Sequence, residues 1–266
     1  AFSYCQELVD KDGKFVIEEK FTGEEFSLMS FCDGNTLKHM PAVQDHKRAY
    51  EGDTGPNTGG MGTYSDTNHS LPFLTDDDIS QAHSINLATA KALKDKFDDS
   101  YKGILYGGFM ATATGVKLIE YNARFGDPEA MNVLSLLESD FIELCHAIAD
   151  GTLGSVEVQF KNKATVCKYA VPEGYPDNPV KGEPIEISRI ENPDNLFFAS
   201  VESSNGQLVE SGSRTIAVIG IADSISEAEK VAEKEGSLIL GPLFHRTDIG
   251  TDAVIQKRIE HMNSFR

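Results

Sequence analysis

The sequence predicts an α+β chain in which an antiparallel sheet with helices is followed by a smaller β-rich region. Three observations carry this. Apolar runs of strand length, punctuated by Asp-Gly and Thr-Gly, recur between Phe15 and Tyr121. Two segments have helical periodicity. Beyond Gly154 the texture changes to short β-rich runs broken by Pro, Gly and Asn. This change divides the chain into units of 1–153 and 154–266.

In order along the chain, Phe15 to Glu18 and Phe26 to Phe31 read as strands, and Asp33-Gly34 is a short-turn signal leading to Leu37 to Val43. Thr75 followed by Asp76, Asp77 and Asp78 caps a helix whose apolar face is Ile79, Ala82, Ile85, Leu93 and Phe97. The histidine and later acids on that helix read as solvated. Ile104 to Ala111 and Val116 to Tyr121 form a hairpin around Thr114-Gly115. The next helix buries Leu134, Leu137, Phe141, Leu144 and Ile148 before Gly151 ends it, with His146 a structural residue. In the second unit the β-rich runs are Ser155 to Tyr169, Pro184 to Ile190, Leu196 to Val201 and Thr215 to Ile221. A helix starts at Ser226, with Glu229 completing a capping box, and Gly236 stops it.

The residues Leu118 to Glu129, Leu-Ile-Glu-Tyr-Asn-Ala-Arg-Phe-Gly-Asp-Pro-Glu, hold the most chemistry. Side chains of a strand alternate faces, so Glu120, Asn122 and Arg124 share one side while Ile119, Tyr121 and Ala123 take the other. A carboxylate and an amide oxygen suit a hard cation such as Mg²⁺, and an Arg grips phosphate or carboxylate oxygens bidentately. An edge strand with a solvated polar face is the alternative. Gly126, Asp127 and Pro128 stop the strand, and Pro128 and Glu129 suit the first turn of a helix, so the junction lies at a strand C-terminal end, where ligands bind. A second segment, Gln44-Asp-His-Lys-Arg48 followed by Asp53-Thr-Gly-Pro-Asn-Thr-Gly-Gly-Met-Gly62, concentrates glycine after a charged cluster. Such a loop wraps an anionic substrate or closes as a flap, or is simply a flexible surface loop. It lacks the Gly-Lys-Ser/Thr of a P-loop and the dinucleotide fingerprint.

These two segments, with Val16-Ile-Glu-Glu-Lys-Phe-Thr-Gly-Glu-Glu-Phe-Ser27, resemble the ATP-grasp ligases over nearly the whole chain, most closely the branch that joins glycine to 5-phosphoribosylamine. The resemblance implies an ATP-grasp fold and an ATP-dependent carboxylate–amine ligase acting through glycyl phosphate in de novo purine biosynthesis. It implies that the strand matching Ile17 to Phe21 is a hinge holding adenine through its backbone, so that Glu18, Glu19 and Phe21 lie at the nucleotide, and that Glu25 holds the ribose hydroxyls. Glu120 and Asn122 would bind Mg²⁺ (or Mn²⁺), and Asp45, Lys47, Arg124 and Asp127 would surround glycine and phosphoribosylamine. A second metal-binding acid of some members has no counterpart in Gly107-Gly108-Phe109-Met110. Glu210 to Arg214 and Arg246 to Gly250 fall where the family's last domain approaches the cleft, and an Arg-Asp turn is equally good structural chemistry. The alternatives are another ATP-grasp ligase of purine metabolism, which would not need Gln44 to Arg48 with the glycine-rich loop, or a nucleotide-binding module without catalysis.

The 266 residues suffice for one large or two modest domains. The net charge of −18 argues against nucleic acid or an anionic membrane as partner. Cys5, Cys32, Cys145 and Cys167 are scattered without zinc spacing, suggesting reduced thiols in a cytoplasm, and no run approaches the ~20 apolar residues of a membrane span. The chain begins at Ala1, and the family places further phosphate-gripping domains before the matched region. The expected partners are therefore the small-molecule substrates and an N-terminal half of the same enzyme, and the 266-residue segment alone is expected to be inactive.

Overall fold

A computed structural model of the chain describes residues 2–97 and 100–266. It opens with a helix, α1 (Phe2–Asp12), and an exposed irregular segment over 14–22, then β1 (Gly23–Cys32) and β2 (Leu37–His39). The turn joining these strands is fixed by Asp33, whose Oδ1 accepts from the N–H groups of Asn35 and Thr36 at 2.8 and 2.6 Å. Four short strands follow: β3 (Gln44–Asp45), β4 (Arg48–Tyr50), β5 (Thr54–Asn57) and β6 (Gly62–Ser65). Next comes α2 (Asp76–Phe97), whose capping box closes reciprocally: Thr75 Oγ1 accepts from Asp78 N at 3.2 Å, and Asp78 Oδ2 accepts from Thr75 N at 2.7 Å. The hairpin of β7 (Gly103–Thr112) and β8 (Gly115–Asn122) leads into α3 (Glu129–Leu136) and α4 (Phe141–Asp150). The remainder is β9 (Ala164–Pro172), β10 (Pro184–Ile185), β11 (Leu196–Phe198), β12 (Val201–Ser204), β13 (Gln207–Glu210), β14 (Ile216–Ala222), α5 (Ile225–Gly236), β15 (Leu243–Phe244) and α6 (Asp252–Asn263).

One antiparallel sheet runs β2-β1-β7-β8 and leaves β8 at its edge, where polar side chains face a cleft. A second runs β11-β14-β9-β6-β3, with β15 also paired to β9, so strands from before and after Gly154 share one sheet. The main core joins the two sheets, setting Phe26, Leu28 and Phe109 against Tyr64, Val166, Tyr169 and Ile219. β9 is buried throughout, and its one cation is fully satisfied: Lys168 Nζ donates to Glu229 Oε1, Glu233 Oε2 and Thr247 O at 2.7, 2.6 and 2.8 Å. Helix α5 lies close on β14, where a Cβ on Gly220 would stand 1.8 Å from Ala228 O.

Several local expectations change. Phe15 to Glu18 is not a strand; Val16 and Ile17 are over 80% exposed, and no described strand pairs with them, so a β-prone run without a neighbouring ladder stays irregular. The helix expected after Pro128 is two helices. Leu137 leaves α3 and bridges to Phe160, Asp140 caps α4 through the N–H groups of Ile142 and Glu143, and Phe141 at this new N-terminus is exposed rather than buried. The α5 box is Ser224 with Glu227, the Glu227 N–H donating to Ser224 Oγ at 3.2 Å, two residues before the Ser226 and Glu229 pair; Glu229 instead serves Lys168. On α2, His83 is not merely solvated: its ring stacks on His39 at 3.8 Å. Helix α1 carried no recognised signal.

Candidate active site

The polar end of the β7–β8 hairpin, the β3 edge and the start of α3 enclose a cavity of about 220 Å³. Asp45, Lys47, Glu120, Asn122, Arg124 and Asp127 line it, with Thr58, Gly59, Tyr106, Gly126 and Glu129. Each wall has a local cause. β3 pairs with β6 through Gln44↔Tyr64 and Asp45↔Thr63, and Gln44 is buried and accepts a hydrogen bond from the Tyr64 hydroxyl, so Asp45 next to it turns toward the cleft. Glu120 and Asn122 lie opposite Gly108 and Tyr106 of β7, and Asn122 Nδ2 donates to Glu120 Oε1 at 3.3 Å. The strict alternation expected of this strand fails at Ile119. The register shifts by one between Gly108 and Phe109, and the bulged Ile119 lines an adjoining notch with Phe26 and Phe109 as well as the charged Glu25, Lys47 and Glu120. Tyr121 does face away, its hydroxyl donating to Asn86 Oδ1 at 2.9 Å.

Charge is unevenly compensated here. Asp45 Oδ1 is buried without a hydrogen-bond partner, and burial with the neighbouring Glu129 carboxylate holds Asp45 well above the ordinary carboxylate range, against the pull of Lys47. Burial also raises Glu129, which Tyr106 partly offsets by donating its hydroxyl to Glu129 Oε1 at 2.7 Å. Burial works against the Lys47 ammonium, yet Glu25, 3.2 Å away, and Asp45 outweigh it and keep Lys47 above its usual value. Beyond Lys47 a second cavity of about 430 Å³ opens among Glu25, Gln44, Arg48, Asp53, Asn57 and Arg258.

The glycine-rich segment is half hairpin and half roof. β4 and β5 pair, the N–H and Oγ1 of Thr58 both donate to Lys47 O, at 2.7 and 2.9 Å, and Gly60 N donates to Thr58 Oγ1 at 3.0 Å. Gly60 has φ of 110°, and a Cβ there would stand 2.7 Å from both Asp45 Oδ1 and Pro128 Cδ, so only glycine permits this approach. Two arginines from beyond Gly154 hold the segment. Arg214 donates to Gly59 O, Gly60 O and Asp127 O at 2.6, 3.2 and 3.0 Å and pairs with Asp127 Oδ2 at 2.9 Å. Arg246, 1% exposed, grips Asp248 with two nitrogens at 2.8 and 2.7 Å and reaches Asp53 Oδ1 and Arg48 O at 2.9 and 3.0 Å.

Of the residues singled out from sequence, Asp45, Lys47, Glu120, Asn122, Arg124 and Asp127 meet in one cavity, and Glu25 stands beside them. Glu18, Glu19 and Phe21 belong to the irregular segment before β1 and line none of these cavities. Tyr106, Glu129 and Tyr169 were not identified as site residues, and Arg214 only as the end of the Glu210 to Arg214 segment expected to approach the cleft. Glu129 stands inside the motif that was read, and Tyr106 faces Asn122 across the hairpin, so the pairing register could have found it. Arg214 is 87 positions from Asp127, and nothing local to it shows which residue it grips. For a metal, the donors fit a hard cation: one carboxylate and one amide oxygen side by side at a cavity mouth, with ligand positions left for a substrate's own oxygens. Among the described residues no group of three or more His, Cys, Asp or Glu could hold a metal alone. No described helix is long and apolar enough to cross a membrane.

Two family models match the chain: "Phosphoribosylglycinamide synthetase, ATP-grasp (A) domain" over residues 2–130 and "Phosphoribosylglycinamide synthetase, C domain" over residues 165–252. Proteins named phosphoribosylamine–glycine ligase from Methanosarcina barkeri and Methanocaldococcus jannaschii are 53% and 52% identical across 100% of the chain. The chain spans 61% of the length of each. The crystal structure of phosphoribosylamine–glycine ligase from Thermotoga maritima superposes with a TM-score of 0.79 at 28% identity, covering 91% of this chain and 63% of that one. A biotin carboxylase domain from Hydrogenobacter thermophilus, at 15% identity and a TM-score of 0.65, covers 98% of this chain and 54% of its own and shares the fold. The architecture is thus the ATP-grasp fold followed by a smaller β-rich region.

Proposed function

This chain belongs to the phosphoribosylglycinamide synthetase family, and from that premise we propose that it carries the metal strand and acceptor wall of a cytoplasmic site that ligates glycine to 5-phosphoribosylamine. ATP phosphorylates the glycine carboxylate, and the amine of phosphoribosylamine attacks the glycyl phosphate, giving glycinamide ribonucleotide, ADP and phosphate for purine biosynthesis. The observation that carries this reading is the convergence of Asp45, Lys47, Glu120, Asn122, Arg124 and Asp127 on one cavity from three separate segments.

Glu120 and Asn122 would hold Mg²⁺ or Mn²⁺, which when bound neutralises the charge of the ATP phosphates. Arg124 and Lys47 add fixed cations on the same side, and fixed charge in a partly dry cleft is the largest contribution a protein makes to phosphoryl transfer. Lys47 also steadies Glu25, assigned with Glu18, Glu19 and Phe21 to the nucleotide. Asp45 and Asp127 face the amines. Asp45, with one buried oxygen uncommitted and its carboxyl held above the ordinary range, suits it to accept the proton the attacking amine must lose.

The test is ADP release by the complete gene product, with phosphoribosylamine generated in place from ammonia and ribose 5-phosphate. Release that requires both glycine and the amine is the expected result. Release that proceeds without either, or with another carboxylic acid in place of glycine, overturns the reading.

A further inference from the structure

The groups that face the cavity come from residues 45–129, yet the side chain that fixes two of its walls relative to one another comes from the far half of the sequence. The Arg214 guanidinium is largely enclosed and makes four hydrogen bonds to three residues: the carbonyls of Gly59 and Gly60 in the roof, and both the carbonyl and Oδ2 of Asp127 at the strand end. Its plane is held in turn by Tyr169 of β9, whose ring lies 4.8 Å from the guanidinium carbon. The Tyr169 hydroxyl donates to the other Asp127 oxygen, Oδ1, at 2.9 Å. Both oxygens of Asp127 are therefore committed to side chains of the second sheet region, although the residue is half exposed to the cavity.

Such an arrangement goes beyond folding stability. A carboxylate at a strand terminus, next to glycine and proline, has no local reason to keep one rotamer, and a guanidinium anchored through Nη1 on three carbonyls while Nη2 donates to the carboxylate gives it one. We infer that Arg214 is a positioning residue: with Tyr169 it sets the direction of Asp127 and the height of the Gly59–Gly60 roof, and so determines how the amino acid and the attacking amine are seated. This rests on the proposed ligase reading for the identity of those substrates. The loop-clamping part does not.

Two measurements test it. In the complete gene product, Arg214→Met and Tyr169→Phe should raise the KM for glycine and phosphoribosylamine about 10 to 100-fold, the range seen when orienting partners are lost, while the KM for ATP moves less than about threefold. Exogenous guanidinium should restore part of the loss in Arg214→Ala. A purely structural role would lower the apparent kcat through loss of folded enzyme and leave every KM unchanged, and that result overturns the inference. In the complete gene product without any substrate, Arg214→Met should speed limited proteolysis between Gly52 and Gly62 several-fold relative to sites elsewhere, with Arg214→Lys intermediate. Unchanged cleavage overturns the clamp even if Arg214→Met proves inactive. Should the unmodified protein show no turnover dependent on both substrates, the ligase reading fails and the proteolysis comparison still decides the clamp.

Discussion

Replacing Arg246 with Met is the sharpest available test of what holds the glycine-rich segment from behind. The guanidinium is 1% exposed and fully engaged: two bonds to Asp248, one to Asp53 and one to the carbonyl of Arg48. Breaking a buried ion pair by removing one partner costs about 3–5 kcal/mol, chiefly because the other charge is left uncompensated. Here the carboxylates are not abandoned. Asp53 keeps Arg258 at 2.5 Å and Asp248 keeps the Gly52 N–H at 2.9 Å. The cost should therefore fall near the lower end, about 3 kcal/mol, and Arg246→Lys, which keeps a charge but loses the fork, should cost about half that. The assay is equilibrium unfolding in urea at pH 7, with a second series toward acid. Although burial works the other way, the Arg246 hydrogen bonds and the Gly52 N–H hold Asp248 below the ordinary carboxylate value. A depressed carboxylate contributes stability above its unfolded pKa that is lost as pH falls through its folded pKa, so the acid limb should be shallower in Arg246→Met than in the parent. A loss under about 1 kcal/mol, or equal losses for Lys and Met, would refute the reasoning.

Three further outcomes are expected. Glu120→Ala in the complete gene product should lower turnover by more than the ~100-fold that loss of a mere orienting partner reaches, with altered Mg²⁺ dependence, and normal metal dependence would remove Glu120 from the metal. Asp45→Asn should abolish most activity yet stabilise the fold, raising the melting midpoint by about 2–4 °C for each kcal/mol gained in a chain of this size. Burial and Glu129 hold Asp45 high, so ionising it costs stability at neutral pH, and the gain should shrink as pH falls below its folded pKa and be gone once pH reaches the ordinary carboxylate value of the unfolded chain; a destabilised Asp45→Asn would contradict this. In a separate cavity, burial and His83 push His39 down to about 4, where the ring also contacts Ser30 and lies near His69 and Asp76. A depressed histidine binds its proton in the unfolded chain first, so stability should fall from about pH 6.5 toward pH 4, the unfolded and folded values respectively, and His39→Phe should flatten that slope in thermal melts.

Much of this was legible in the sequence because it is local. The Glu120 and Asn122 pair, the Asp33-Gly34 turn and the α2 cap each depend on residues within a few positions, and periodicity of two or 3.6 residues reports them directly. Ile119 was misplaced because a bulge adds one residue to β8, and nothing in Leu118-Ile-Glu-Tyr reveals an unpaired residue before its partner strand is known. The break between α3 and α4 comes from a bridge to Phe160, and the clamp on Asp127 from Arg214, both products of tertiary packing. The cap of α5 was expected at Ser226 with Glu229, and it falls on Ser224 because Glu229 is drawn to Lys168 of β9, a partner 61 positions away.

The pairing of β6 with β9 sets a clock on the folding of this chain. Ser65 lies opposite Thr165, a separation of 165 − 65 = 100 residues. During synthesis at roughly 5–20 residues per second, β6 waits some 5–20 s for the strand that completes its ladder. Throughout that interval the roof of the cavity has no floor to rest against, and Tyr64 and Met61, both fully enclosed in the finished molecule, face solvent or whatever binds them. The nascent first half is thus most vulnerable to misassembly at the segment that later handles substrate, and substitutions that slow emergence or docking of β9 should reduce yield of soluble protein before they touch catalysis.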